Sequence, residues 1–351
     1  MRDFFGPTTF NPLDLTQTSF GWFATRYVTH FCAPIFVFLA GVSASLYGGS
    51  VKRSELAVFL VTRGMWLVLL ECTVVSLSWG ALWGGVITLQ VIWALGVSMM
   101  VLAGVVFLGR PAQCLLALVL VAGHNLLDGL HAEDLGVGGG LWSLLHAPGF
   151  HNLGIVKVFV LYPLVPWVGV MVAGYWAAPL LWGVSGAPLA DAKRAQTATR
   201  RLVVAGLGLL LLMVLLRIDN VYGNPEPWLT QARGAVYSAM SFINFSKYPP
   251  SLLYLCMTLG LGALLLGALL RCPARYLQVL LVFGKVPMFF YLVHLPLIHI
   301  GSHVWSLSRF GQPGAWGMTG GPAPESYAPD LGFVYGVWAL YLLLMYPACR
   351  W

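Results

Sequence analysis

The chain of 351 residues holds 19 Lys and Arg against 12 Asp and Glu, a formal net charge of +7, and only 9% of it is charged while 59% is hydrophobic. A soluble domain carries about 25% charged residues. Together with a mean hydropathy of +0.81, this excludes a soluble globular domain, a disordered chain and a disulfide-stapled secreted scaffold, and leaves an all-α polytopic transmembrane helix bundle whose first partner is the lipid bilayer.

Taken in order, nine apolar stretches approach the roughly 20 residues that a membrane helix needs: 27–47, 57–78, 86–108, 111–127, 157–181, 200–218, 250–270, 276–301 and 331–349. The fourth and sixth are the shortest, and Gly109-Arg110-Pro111 forms a tight turn between the third and fourth. No cleavable signal peptide is visible, since residues 1–25 lack an apolar core. Connections after odd-numbered spans carry Lys52, Arg53, Arg110, Lys193, Arg194, Arg200, Arg201, Arg271, Arg275 and Arg350. The opposite side carries Asp3, Asp14, Asp128, Glu133, Asp134, Asp219, Glu226, Glu325 and Asp330. The positive-inside rule then predicts an N-terminus outside and a C-terminus in the cytosol. The basic residues are scattered through short loops, so they report topology and imply no nucleic-acid partner. A tail bearing Arg2 and Asp3 would cross the membrane with nothing ahead of it, which points to a further helix before residue 1.

Cys32, Cys72, Cys114 and Cys256 sit inside apolar runs, and Cys272 and Cys349 at their ends; buried reduced thiols are expected. Ionisable residues at membrane depth are expensive and generally face a polar interior, and histidine is the side chain best suited to move protons near neutral pH. All eight histidines map to the outer half of this topology. His131, His146 and His151 read as solvated loop residues, and His124 lies near the outer end of the fourth span. His30 and His294, each within an apolar run, are candidates for function. Arg26 and His30 are four apart and share a helix face, as do His299 and His303; His294 is directed about 140° away from His299. No metal-ligand spacing is present, so no metal is expected.

Arg63 and Glu71 lie about 12 Å apart along the second span. They either brace neighbouring helices, or Arg63 meets an anionic group such as a phosphate of a cytosolic donor. Gln90 suits an interhelical hydrogen bond. Lys247-Tyr248-Pro249-Pro250 opens a helix whose N-terminus, with Lys247, favours an anion. Pro287 and Pro296 interrupt the eighth span, Gly136 to Gly140 form a flexible loop, and Gly80 and Gly84 form a small-xxx-small helix-packing pair.

Several stretches resemble a known family: Arg2-Asp3-Phe4-Phe5, THFCAPIFVFLAGVSA at 29–44, LQVIWALG at 89–96, YPLVPWVGVMVAGY at 162–175, RIDNVYGNP at 217–225, KYPPSLLYLCMTLG at 247–260 and FGKVPMFFYLVHLPLIH at 283–299. The set is similar to the DUF1624 group of bacterial membrane proteins, itself similar to the catalytic domain of heparan-alpha-glucosaminide N-acetyltransferase and, more distantly, to membrane acyltransferase-3 proteins. The resemblance implies a single acyltransferase domain over residues 1–351. It also implies transfer of an acetyl or other acyl group from cytosolic acyl-CoA to a sugar hydroxyl or amine across the bacterial cytoplasmic membrane. In that family a first helix precedes the RDFF stretch and ends in an Asp-His pair, whose His is the usual candidate base, and a basic tail follows a CRW such as that at 349–351. The expectation is therefore ten spans in the complete form, with that helix and tail lacking here. His294, His30 and Asp3 are assigned to the reaction centre. Arg2, Arg26 and Lys247 are assigned to orienting the acceptor or holding an oxyanion, and Gln90 and Arg63 to the donor path. A solute transporter and an inactive truncated protein are the alternatives; the absence of an internal repeat speaks against the former.

Overall fold

Hydrocarbon offers the backbone no water, so apolar runs satisfy their own N–H and C=O groups by folding into helices. The structure is a computed structural model that describes residues 2–6, 10–152, 154, 156–182, 192–314, 323–324 and 326–351, with the side chains of Arg2 and Ala192 outside the description. Glu325, placed above among the acidic loop residues, lies outside the described residues. Among the described residues, seven helices are long and apolar enough to cross a membrane: Phe20–Gly48, Arg53–Ser78, Leu164–Trp182, Lys193–Ile218, Leu252–Leu269, Pro287–Phe310 and Leu331–Arg350. Val91–Val105 and Arg110–Ala122 are shorter apolar helices.

Among the described residues, the fold departs from all-α at one small sheet. Val86–Leu89 and Lys157–Val160, read above as the beginnings of the third and fifth spans, are strands, and with Gly149–Asn152 they form a three-stranded sheet. Their VITL and KVFV sequences are rich in β-branched and aromatic residues that fit a pleated surface. Gly149 pairs with Val160 and Phe150 with Phe159, whose rings stack with centroids 4.4 Å apart. The eighth span is also shifted: a short helix Gln278–Lys285 ends first, and Pro287 starts Pro287–Phe310 from its first turn, where the missing N–H costs nothing. Pro296 is carried inside that helix.

Contacts divide the chain into two compact units. One comprises Tyr27–Cys72 and Thr88–Cys272. Its main helix pairs are Cys32–Gly48 with Leu164–Trp182, Arg53–Leu70 with Val91–Val105, and Ala192–Ile218 with Leu252–Leu269. Glycines set each crossing. A Cβ on Gly41 would land on the Met171 carbonyl and one on Gly174 on the Phe38 carbonyl; Gly64 faces Gly96, and Gly206 faces Gly260. Such small residues let backbones close to van der Waals contact, the attraction available between helices in lipid. Trp167, Met171, Leu253 and Tyr254 fill the centre of this unit.

The other unit comprises Met1–Arg26, Thr73–Ile87 and Pro273–Trp351. Phe4 and Phe5, on the short helix Arg2–Phe5, are buried with Ile298 and Val334. Phe4 stacks on Trp79 at 5.4 Å and Phe5 packs on Trp305 at 5.8 Å. Gly80 does not share a regular helix face with Gly84. It stands at φ +76°, and a Cβ there would come within 2.6 Å of the His299 ring. Gly84 has nothing within 4 Å of the same position. In the glycine-rich loop, Gly136 turns at φ 51° and Gly139 begins a helix, Gly139–Leu145.

Candidate functional site

The helical course from Phe20 is broken at residues 29–31, between Phe20–Val28 and Cys32–Gly48. The break holds His30, which is 1% exposed. Tyr254 donates its hydroxyl proton to the His30 carbonyl at 2.7 Å, and the His30 ring lies edge-on to Tyr254 at 5.4 Å and to Tyr27 at 5.5 Å. Lys247 donates through Nζ to the Thr29 carbonyl at 3.5 Å and lies 5.3 Å from the centroid of the Tyr248 ring. Tyr248 packs on Tyr162, and Tyr162 on Trp167, each at 5.2 Å. The Lys247 ammonium therefore reaches the residue before His30, where two helices, Cys32–Gly48 and Leu252–Leu269, begin. Ser251 caps the second of these, accepting from Tyr254 N–H at 3.2 Å while donating to Asn224 Oδ1 at 2.9 Å. The same Asn224 oxygen accepts from Ser246 N–H, which fixes the turn that delivers Lys247. A buried ammonium among aromatic rings beside a helix N-terminus favours an anion or a developing oxyanion.

Next to this turn is a network that the sequence reading did not find. His124 Nδ1 and Nε2 each lie 3.0 Å from a carbonyl, of Val121 and Pro250, and His146 Nε2 lies 2.8 Å from the His124 carbonyl. Asn125 donates to Asp128 at 2.7 Å and accepts from Leu252 N–H at 2.9 Å. His146 stands 3.8 Å from Asp128. His146 is thus buried rather than solvated, whereas His131 is exposed. Burial holds the His146 imidazole below its ordinary pKa; His124 acts in the same direction and Asp128 against it. Arg217, at the end of Ala192–Ile218, donates to the carbonyls of Phe242, Glu226, Ser241 and Asn244 and packs over Phe245. A cation inside an apolar run was the available signal for it.

Glu71 opens a π-helical turn, Glu71–Val75, inside the second span, and its Oε2 accepts from Trp93 N–H at 2.9 Å. It thereby caps Val91–Val105, whose N-cap is Gln90. Of the two residues expected to brace neighbouring helices, Glu71 does so through this bond. Arg63 is exposed, 5.2 Å over the Phe59 ring, and borders an open groove with Trp66 and Cys72.

The second unit holds Arg2, Asp3, Arg26 and His294. Asp3 is half-buried in the first turn of Arg2–Phe5, Arg26 is half-buried in the last turn of Phe20–Val28, and the Arg2 side chain lies outside the described residues. His294 Nδ1 lies 2.8 Å and 2.7 Å from the carbonyls of Phe290 and Tyr291, one and the same turn back on its helix, and its ring stacks on Phe290 at 4.8 Å. A nitrogen facing carbonyl oxygens carries the proton, which leaves Nε2 of the neutral ring as the base. His299 Nδ1 reaches the Ser78 carbonyl at 2.8 Å, and His303 Nδ1 the His299 carbonyl at 3.0 Å. Of the assigned residues, the structure groups His30 with Lys247 and sets Gln90 beside Glu71; Arg63 stands apart from both.

Among the described residues no group of three or more His, Cys, Asp or Glu is placed to hold a metal ion. All six cysteines are free thiols; Cys256 and Cys349 are buried, but Cys32 is exposed.

Apolar helices of membrane-crossing length, with ionisable side chains gathered where they begin, define an integral membrane protein of the helical class. The family model described as heparan-alpha-glucosaminide N-acetyltransferase, catalytic, matches residues 8–216, and the chain belongs to that family. No curated protein and no solved structure matches it. The matched segment includes Arg26, His30, Arg63 and Gln90; Lys247 and His294 fall beyond it, and Arg2 and Asp3 before it.

Proposed function

We propose that this protein is a membrane acyltransferase of the bacterial cytoplasmic membrane that moves an acetyl or other acyl group from cytosolic acyl-CoA to a sugar hydroxyl or amine on the opposite side. The observation that carries the reading is a buried histidine, His30, next to Thr29, whose carbonyl takes the buried Lys247 ammonium, at the start of two helices in a chain of an acetyltransferase family. In this reading the N-terminus lies outside, the basic loops face the anionic donor, and the glycan or glycolipid acceptor enters at the opposite side, which is rich in histidine and acidic residues.

His30 or His294 removes the proton from the acceptor O–H or N–H as its heteroatom attacks the thioester carbonyl. The carbon–sulfur bond then breaks, the acyl carbonyl re-forms on the acceptor, and the thiolate of CoA leaves and takes up a proton. Asp3 orients the imidazole. Lys247, Arg26 and Arg2 hold the acceptor and the oxyanion, while Arg63 and Gln90 border the donor path. No metal takes part. The test is release of CoA from labelled acetyl-CoA by purified protein in the presence of sugar acceptors. Loss of a general base lowers turnover about 10²- to 10⁴-fold, so His30→Ala and His294→Ala are expected to fall in that range with the fold intact by circular dichroism. Full turnover in both variants removes the site assignment. Solute counterflow without CoA consumption makes the protein a transporter.

A further inference from the structure

In the first unit a groove of about 1020 Å³ runs between Leu164–Trp182 and Ala192–Ile218, lined among others by Trp176, Leu180, Arg200, Arg201, Val204 and Leu212. Its lining on the second helix recurs every three or four residues, so it is one helix face. Read along that face, the first part is polar and basic, with Thr197, Arg200 and Arg201, and the remainder is apolar, from Val204 to Leu212. No acidic side chain lines the groove among the described residues. Arg201 is held at its place by donation from Nη1 to the Leu180 carbonyl at 2.8 Å. A third guanidinium, Arg110, donates to the carbonyl of the lining residue Trp176 at 2.9 Å and lies over its ring at 5.7 Å.

The two glycines of this helix show that the groove is open by construction. Gly206 packs backbone to backbone on Gly260, but Gly208, on the groove face, has nothing within 4 Å of where a Cβ would be. From Arg201 to Leu212 is eleven residues, or about 16 Å at the helical rise. One leaflet of a hydrocarbon core about 30 Å thick has half that depth, about 15 Å. A second apolar hollow of about 220 Å³ shares Phe38 and Leu209 with the groove and extends its apolar part inward.

We propose that this groove is a binding site for one phospholipid with an anionic headgroup, its phosphate on Arg200 and Arg201 and an acyl chain laid over Gly208 towards Leu212. Charge complementarity at one end and a chain-length apolar face beyond it select this occupant over a zwitterionic lipid, because basic pockets between membrane helices prefer anionic headgroups. The proposal does not depend on acyl transfer.

The experiment is native mass spectrometry of the intact purified chain, released from mixed micelles holding phosphatidylglycerol and phosphatidylcholine of identical chains, with no donor or acceptor added. Phosphatidylglycerol should be retained preferentially. Arg200→Gln and Arg201→Gln should each lower the preference about fivefold, the factor that corresponds to about 1 kcal/mol per basic residue. Gly208→Leu should reduce retention of both lipids by filling the groove, and Arg271→Gln, which removes a charge outside the groove, should change nothing. Equal retention of the two lipids, or a preference that survives both arginine substitutions, overturns the proposal. So does displacement of the lipid by free coenzyme A, which would give the groove to the acyl donor.

Discussion

The histidines of the two units are held in different ways. In the unit of Tyr27–Cys72 and Thr88–Cys272, His30, His124 and His146 come from separate segments, and each has a partner distant in sequence: Tyr254 on the carbonyl of His30, Pro250 on Nε2 of His124 while its Nδ1 faces Val121 three residues back, and the His124 carbonyl on the ring of His146. In the unit of the chain ends, His294 and His303 bond to carbonyls three or four residues back on their own helix, and only His299 reaches another segment, at Ser78. An imidazole tied to its own helix keeps its place as long as that helix survives. One tied across segments reports, and enforces, tertiary structure.

The contrast is sharpest at Arg217. Replacing it with Met leaves four carbonyls without their donor, and hydrogen bonds to charged groups are worth about 1.5–3 kcal/mol each. Thermal unfolding in detergent is expected to show a loss of at least about 3 kcal/mol. A variant that unfolds like the parent would mean that the 226–244 segment is held by something else. Asn125→Ala comes next: Leu252 N–H and Asp128 each lose a buried partner, at about 1–3 kcal/mol, measured by the same melt.

The pH dependence should be smaller. Burial keeps His146 below its ordinary pKa, so the unfolded chain binds this proton at a higher pH than the folded one. Stability should therefore decline as pH falls from about 6.5 towards the folded value. His146→Gln, which keeps a donor and does not titrate, should flatten the decline of melting temperature between about pH 7.5 and pH 5.5; an unchanged slope would assign the effect to other groups. The smallest effect is expected for His303→Ala, since its bond stays within one helix and even bonds between helices in membrane proteins average only about 0.6 kcal/mol. A larger loss there would erase the distinction between the two units.

The own-helix bonds were readable in advance, because His299 and His303 stand four apart and a helix puts such residues on one face. The cross-segment bonds were not. Nothing in the run around His124 names Pro250, 126 residues on. For the same reason His146 read as a solvated loop residue, and the Gly80–Gly84 spacing suggested one face of a regular helix, whereas Gly80 stands in a turn at φ +76°. The glycines that do set the crossings, such as Gly64 and Gly96, lie on different helices, and no spacing within one segment reveals a pair of that kind. The strands at Val86–Leu89 and Lys157–Val160 were hidden in longer apolar runs, where a short β-branched stretch cannot be told from the end of a helix.

By itself, the sequence determined that this chain is apolar enough to be built from membrane helices, where most of them run, and the family to which it belongs, since each depends on local composition or on motifs within one segment. Only the tertiary structure decided which helices touch, which polar groups are satisfied, and that His30 and Lys247 share a buried corner. Those outcomes depend on surfaces brought together from distant segments, and their free energy exists only once the surfaces meet.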